Sequence, residues 1–155
     1  MTSVWRILKA DYAAAAFTGD SAALYPGRWN GDGVKMVYAA GSLSLAALEL
    51  FVHLQGDGMK IKFVCFKVAI PGRIKIGEVG HGRLPRDWRT YPAPESTQQI
   101  GTDWAKKKDS LLLRVPSVII PAEHDYLINP LHPDFSSLKI SDPVPFSFDP
   151  RMWKR

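Results

Sequence analysis

Residues Tyr25 to Glu49 run YPGRWNGDGVKMVYAAGSLSLAALE. The stretch opens on a glycine-rich loop that carries an arginine, Gly27-Arg28-Trp29-Asn30-Gly31-Asp32-Gly33. Glycine permits close approach of backbone to a ligand and the positive φ of tight turns. An arginine in such a loop suits a phosphate or carboxylate, because its planar fork binds two oxygens at once. A strand signal follows from Val34 to Ala39, with Met36 and Tyr38 on one face and Val37 on the other. Ser42 or Ser44 can then cap a helix from Leu45 to Leu54. That helix is apolar almost all round, which predicts packing over most of its surface; its one polar stripe is Glu49 with His53, a turn apart. Arginine, then aromatic, then carboxylate is a set that can hold a dinucleotide and stabilise a cation. A hairpin turn, a core tyrosine and a surface glutamate use the same residue types, and periodicity alone does not choose between the two.

On the N-terminal side, Val4 to Leu8 reads as a strand with Arg6 at its centre, and Lys9 to Phe17 as a short helix ended by Thr18-Gly19-Asp20. On the C-terminal side, Gln55-Gly56-Asp57-Gly58 breaks the helix, and Met59 to Ile70 is a strong strand signal closed by Pro71-Gly72. Arg73 to Ile76 suggests a shorter strand, and Glu78 to Pro94 an irregular excursion anchored by Trp88. Ser96 to Lys107 looks helical, with Ser96 or Thr97 as cap and Ile100 a turn before Trp104. Leu111 to Ile120 is a strand signal interrupted by Pro116, which implies an edge, a bulge or two strands meeting at Ser117. Glu123 to Asn129 is extended before Pro130, and His132 to Phe135 is a turn. Leu138 to Ile140 and Val144 to Phe148 close as short strands. Strands outnumber helices without regular alternation, which argues for an α+β fold over a doubly wound parallel sheet.

The chain has 155 residues, 46% of them hydrophobic, a size and composition that suit one domain over residues 1–155. Its net charge is +5. That charge suits a nucleic-acid binder and equally an enzyme for an anionic small molecule. The one dense basic run, Lys106-Lys107-Lys108, is followed at once by Asp109, as in a solvated helix end. A single cysteine, Cys65, excludes a disulfide within the chain, and with four histidines scattered no zinc-ligand spacing appears. No metal is expected. No apolar run approaches a membrane span and no secretory signal is visible, so a cytoplasmic location is expected. Walker-type, dinucleotide-fingerprint and GxSxG motifs are absent from the sequence.

Taken whole, the chain resembles the RES-domain family, the toxin halves of bacterial toxin–antitoxin pairs. The resemblance runs through WRI at Trp5 to Ile7, GRWN at Gly27 to Asn30 and VYAAGSLSLAALE at Val37 to Glu49. It continues with GTDW at Gly101 to Trp104, VPSVIIPAEHDYLINPLHPDF at Val115 to Phe135 and FDPR at Phe148 to Arg151. Each motif is weak alone, whereas their order and spacing are specific. One departure is Pro26, where many members have a glycine before GRWN; it implies a stiffer loop and leaves Arg28 in place.

The resemblance implies an ADP-ribosyltransferase-like fold, a split, mostly antiparallel β-sheet core with flanking helices and a cleft for NAD. It implies cleavage of the bond between nicotinamide and ribose. The name-giving residues fall on Arg28, Glu49 and Ser117, and the family's aromatic site residue on Tyr38. A carboxylate beside the ribose stabilises the oxocarbenium-like state as nicotinamide leaves, the role expected of Glu49. Tyr38 can stack on nicotinamide, Arg28 can clamp the pyrophosphate, and Ser117 can hydrogen-bond Glu49 or the ribose. Arg6 and Asn129 are further candidates for ligand contacts, and His53 is expected to be structural or surface.

The resemblance also implies a helix-turn-helix (Xre-type) antitoxin as partner, DNA contact only through that antitoxin, and self-association as a dimer. Two rivals stand beside an NAD glycohydrolase. An ADP-ribosyltransferase for a specific protein would use the same cleft, although Ala47 and Leu48 precede Glu49 where arginine-specific transferases carry a second acid or amide. A non-catalytic basic module for nucleic acid would show steeply salt-dependent binding.

Overall fold

Among the described residues of the computed structural model, 1–54, 56 and 58–153, eight strands form one sheet. They are β1 (Thr2–Lys9), β2 (Val37–Ala40), β3 (Phe63–Ile70), β4 (Ile76–Glu78), β5 (Leu112–Pro116), β6 (His124–Ile128), β7 (Lys139–Ile140) and β8 (Val144–Phe146). The order across the sheet is β4-β5-β6-β2-β1-β3-β7, with β8 beside β7 on the same edge of β3. Every pairing is antiparallel except β4 with β5. This is the expected mostly antiparallel α+β architecture.

The sheet is divided at its centre. β1 pairs with β3 along its whole length, from Thr2↔Ile70 to Lys9↔Phe63. With β2 it shares only one partnered position, Trp5↔Ala40. Past that point the strands part, and the Arg6 side chain bridges the gap. Its Nη1 donates to the Tyr38 carbonyl at 2.9 Å and its Nε to the Ala16 carbonyl at 2.8 Å.

The strand alternation sorts the core into two layers. One face gathers Val4, Val37, Ala39, Val68, Ile70, Leu112 and Ile128, closed by Ile74, Leu111 and Leu138 from the connecting segments. The other face gathers Met36, Leu113, Val115 and Leu127 under Trp29 and Trp104. Met36 and Tyr38 share this second face and Val37 lies on the first, as the pleat predicts.

Three α-helices flank the sheet: α1 (Asp20–Leu24), α2 (Leu43–His53) and α3 (Glu95–Lys107). Ser42 begins α2 with extended dihedrals, and its hydroxyl accepts from the Leu45 amide at 3.1 Å. α2 lies against β1 and β2, but only Leu45 is fully buried. The apolar composition therefore overstates its packing, since Val52 is 53% exposed. α3 is capped differently from the expectation. Pro94 holds the N-cap position, the Thr97 hydroxyl donates to the Pro94 carbonyl, and Ser96 donates to Asp87. At the other end Lys108 adopts φ 56, and the exposed Lys106-Lys107-Lys108 run sits where a helix C-terminus favours cations.

Other boundaries moved for local reasons. Residues 10–15 form a 3-10 turn because β1 continues to Lys9, and α1 follows in a stretch to which the sequence assigned no element. β3 starts at Phe63, after a 3-10 turn over Gly58–Lys60. The helix break read at Gln55 and Asp57 lies outside the described residues. β4 begins at Ile76, because the Ile74 amide closes a turn onto the Pro71 carbonyl and keeps Arg73 out of the sheet. Pro116 ends β5, which is an interior strand between β4 and β6 and not an edge. The C-terminal segment folds back over α2, with the Phe51 ring packed at a tilt 5.6 Å from Phe148 and 5.1 Å from Trp153.

Candidate active site

The GRWN loop is held by its own residues before anything else. Asn30 is fully buried; its Nδ2 donates to the carbonyls of Ala22 at 2.8 Å and Val34 at 3.1 Å. Its Oδ1 accepts from the Gly27 amide at 2.9 Å and the Tyr38 hydroxyl at 2.6 Å. That hydroxyl in turn accepts from the Trp29 amide at 2.9 Å. A Cβ on Gly27 would stand 2.7 Å from the Tyr38 hydroxyl oxygen, so glycine is required there for contact with Tyr38. α3 supports the loop from behind. Gln98 donates to the Gly27 carbonyl at 3.0 Å, the Gly31 amide to Thr102 Oγ1 at 3.0 Å, and a Cβ on Gly101 would run into the Trp29 carbonyl.

Within this frame Arg28 is half-buried, and its Nη1 donates to the Trp88 and Thr90 carbonyls at 2.9 and 2.8 Å. The arginine thereby ties the loop to the excursion between β4 and α3. Burial lowers its pKa from the ordinary value. Burial pushes the Tyr38 phenol well above its ordinary range, opposed by the Trp29 amide and the Arg28 charge. Tyr38 therefore stays protonated and remains a donor to Asn30 at any physiological pH.

Glu49 comes from α2 and Ser117 from just beyond β5. The Ser117 hydroxyl donates to Glu49 Oε2 at 2.8 Å. Ser117 is completely buried, and its Oγ accepts from the amides of Ile119 and Ile120 at 3.1 and 3.2 Å. The turn that Pro116 begins thus becomes a rigid mount for one hydroxyl. Glu49 looks toward the sheet, whereas His53, a turn along, is exposed.

Asp125, which the sequence reading passed over, completes the group. It lies on β6 opposite Ala40 and Val115, on the face that carries Tyr38 and Leu127. Its side chain is within hydrogen-bonding reach of Glu49, and burial together with that neighbour raises its pKa strongly. When ionised it would act on Tyr38 in the same direction as burial. Asp125 inside EHDYLIN carried no signal of its own, because only strand pairing brings it beneath α2.

Tyr38, Asp125 and Ser117 thus share one face of the sheet, Glu49 reaches Ser117 from α2, and Arg28 sits in the loop that Tyr38 braces. The other two candidates lie elsewhere. Arg6 shares the face of Val4 through its pairing with Phe66, bonds main-chain carbonyls, and has its pKa lowered to about 10 by burial. Asn129 is buried at the far end of β6, about 13 Å along the strand from Asp125 at 3.3 Å per residue. There its Nδ2 donates to the Ala105 carbonyl at 2.9 Å and its Oδ1 accepts from Leu131 at 3.0 Å, which clamps the end of α3.

A cavity of about 310 Å³ lies beside the group, lined by Ser42, Arg114, Glu123, His124 and Tyr126 among others. Arg114, His124 and Tyr126 point to the sheet face opposite Asp125, while Leu45, a turn before Glu49 on α2, also lines the cavity. Among the described residues no helix is long and apolar enough to cross a membrane, and no cluster of three or more His, Cys, Asp or Glu could hold a metal ion.

The RES domain profile matches residues 3–149. A protein named Toxin Res from Yersinia enterocolitica is 39% identical over 96% of this chain and 98% of its own length. A protein named Prs ADP-ribosylating toxin from a Sphingobium species is also 39% identical, over 99% of this chain and 98% of its own. Among solved structures, the M. tuberculosis MbcT–MbcA toxin–antitoxin complex contains a chain that superposes with a TM-score of 0.75. It is 14% identical and covers 99% of this chain and 87% of that one, a likeness of fold. By profile and by near-full-length identity, the chain belongs to the RES domain family.

Proposed function

We propose that this chain is the toxin of a bacterial toxin–antitoxin pair, and that it degrades NAD by cleaving the bond between nicotinamide and ribose. The observation that carries the reading is the Glu49 carboxylate, oriented by the Ser117 hydroxyl at 2.8 Å on the sheet face that also bears Tyr38. A fixed carboxylate of this kind stabilises positive charge that develops on a ribose, with no reorganisation as nicotinamide departs. Arg28, in a loop braced by Tyr38 and α3, supplies a cation for the pyrophosphate. The tyrosine ring is held by its hydroxyl and offers a flat surface for nicotinamide. The whole chain, residues 1–155, serves as one catalytic domain, with NAD as substrate and no metal in the chemistry.

Loss of NAD arrests growth, so the chain requires an inhibitory partner. The likeness to a toxin within a toxin–antitoxin complex supports an antitoxin in that role. In the same proposal the antitoxin is of the helix-turn-helix, Xre type and makes the DNA contact, the toxin works in the cytoplasm, and it can pair as a dimer.

The test is NAD consumption by purified protein, wild type beside Glu49→Gln, with products separated by chromatography. Free nicotinamide with free ADP-ribose, lost in the variant, is the expected result. A second reading is favoured by the relative named an ADP-ribosylating toxin: transfer of ADP-ribose to a particular protein. Nicotinamide release with ADP-ribose attached to an added acceptor would select that reading. No turnover with any acceptor would reject both and return a basic nucleic-acid-binding module to first place.

A further inference from the structure

Asp125 stands in an unusual position for an acid. Its Oδ1 is buried and has no hydrogen-bond partner among the described residues. The side chain within its reach is another carboxylate, Glu49. The Ser117 amide donates to the Glu123 carbonyl at 2.9 Å, so Ser117 continues the β5–β6 pairing in which Val115 faces Asp125. Ser117 and Asp125 are thus diagonal neighbours on one face, roughly 7 Å apart by sheet geometry, with the Glu49 carboxylate able to meet both.

Two ionised carboxylates in contact repel, and a buried carboxylate oxygen with no donor has lost its hydration without replacement. Both problems vanish if one proton lies between the two groups. The surrounding charges decide which acid holds it. Glu49 already accepts from the Ser117 hydroxyl, whereas Asp125 Oδ1 has no donor. Asp125 faces Glu49 from α2 and Tyr38 from β2, and the buried Arg6 is taken up by the Ala16 and Tyr38 carbonyls. Arg114 and His124 sit on the opposite sheet face, with Arg114 Nη2 3.2–3.3 Å from the His124 ring nitrogens. Among the described residues, no base or cation is hydrogen-bonded to Asp125 Oδ1 to draw its proton off.

We propose that Asp125 is a positioning residue of the active site: its carboxylic acid donates a hydrogen bond to the Glu49 carboxylate, which is thereby held from two sides, by Ser117 and by Asp125. The donated bond fixes the direction of Glu49 and confines one negative charge to the pair. No proton leaves Asp125 during the reaction. The kinetic part of this inference rests on the NAD-cleaving reading; the proton on Asp125 does not.

The test uses the full chain labelled with 13C at the aspartate carboxyl carbon. One aspartate resonance is expected at the chemical shift of a protonated acid at pH 7, absent in Asp125→Asn. In Glu49→Gln, which removes the neighbouring charge, that resonance should titrate at lower pH. In parallel, NAD turnover is measured from pH 5 to 9. Asp125→Ala should lose about ten-fold or more in kcat, as for a lost hydrogen bond to a charged group. Asp125→Asn, an amide that also donates, should restore most of that loss and flatten the alkaline side of the profile. A wild type without NAD turnover would overturn the functional reading, and the resonance would then decide this one alone. Absence of a protonated aspartate above pH 6, or a folded Asn variant as impaired as Ala, would overturn the assignment of Asp125.

Discussion

Ser117 and Glu49, 68 residues apart in sequence, meet in a hydrogen bond of 2.8 Å from hydroxyl to carboxylate. The bond joins the turn after β5 to the middle of α2, so the orientation of the acid depends on the seating of a helix against a sheet. Ser117→Ala should keep the backbone turn and free Glu49 to rotate. A hydrogen bond to a charged group contributes about 1.5–3 kcal/mol, so kcat should fall roughly ten- to hundred-fold. The Ile119 and Ile120 amides would also lose an acceptor, lowering stability by about 1–3 kcal/mol. Single-turnover kinetics and urea unfolding on the same sample separate the two effects.

Tyr38 joins the loop to the sheet through its hydroxyl. Tyr38→Phe removes the donor to Asn30 and the acceptor of the Trp29 amide while keeping the ring. The part-buried Trp29 amide would be left unpaired, and Asn30 Oδ1 would keep only the Gly27 amide, at a cost of about 1–3 kcal/mol. The expected outcome is a clear drop in melting temperature with a smaller change in KM for NAD than Tyr38→Ala produces. Equal changes in KM would show that the ring itself is not used.

Gly101 lets α3 touch the loop that carries Arg28. In Gly101→Ala the new methyl meets the Trp29 carbonyl, and helix or loop must move. Overpacking of this kind costs about 1–3 kcal/mol, against a small gain in helix propensity. Activity should fall with stability, because Arg28 moves with Trp29. Unchanged kinetics in a destabilised protein would detach Arg28 from substrate binding.

Arg6 offers a contrast. Arg6→Met keeps the apolar stem but leaves the Ala16 and Tyr38 carbonyls without their donor. The chain should unfold at a lower urea concentration, by about 1–3 kcal/mol of stability, with little change in KM. A large rise in KM at normal stability would restore Arg6 to the ligand-binding set.

Asp125 makes stability depend on pH. On the proposed protonation its carboxyl is neutral in the fold and ionised in the unfolded chain at neutral pH, so the native state binds the extra proton; burial and Glu49 raise its pKa in that direction. Its contribution is therefore greatest below the unfolded value of 3.8 and is lost steadily as pH rises toward the raised native value. Asp125→Asn carries no such proton. The melting temperature of the variant relative to wild type should increase from pH 5 to pH 8, and a constant difference would contradict the sign.

What could be read in the sequence was whatever depends on near neighbours. The alternation around Tyr38, the Ser42 cap, the run of Phe63 to Ile70 and the lysines closing α3 are short-range patterns, and most of these elements formed within a few residues of their expected bounds. Pro116 showed the limit. Its missing amide marks a break, but only the pairing of β5 between β4 and β6 shows that the break ends an interior strand.

The motifs in order determined the family, the α+β class and the residues to watch, because those follow from identity and spacing along the chain. The tertiary structure alone decided which of these residues stand together. Pairing of β5 with β6, and the lie of α2 across the divided sheet, join Glu49 to Ser117 and bring in Asp125. They leave Arg6 and Asn129 as structural ties on the opposite face and at the far end of β6. A side chain's type is local, but its neighbours across a sheet are set by register and burial over the whole chain, and those neighbours decide its charge and use.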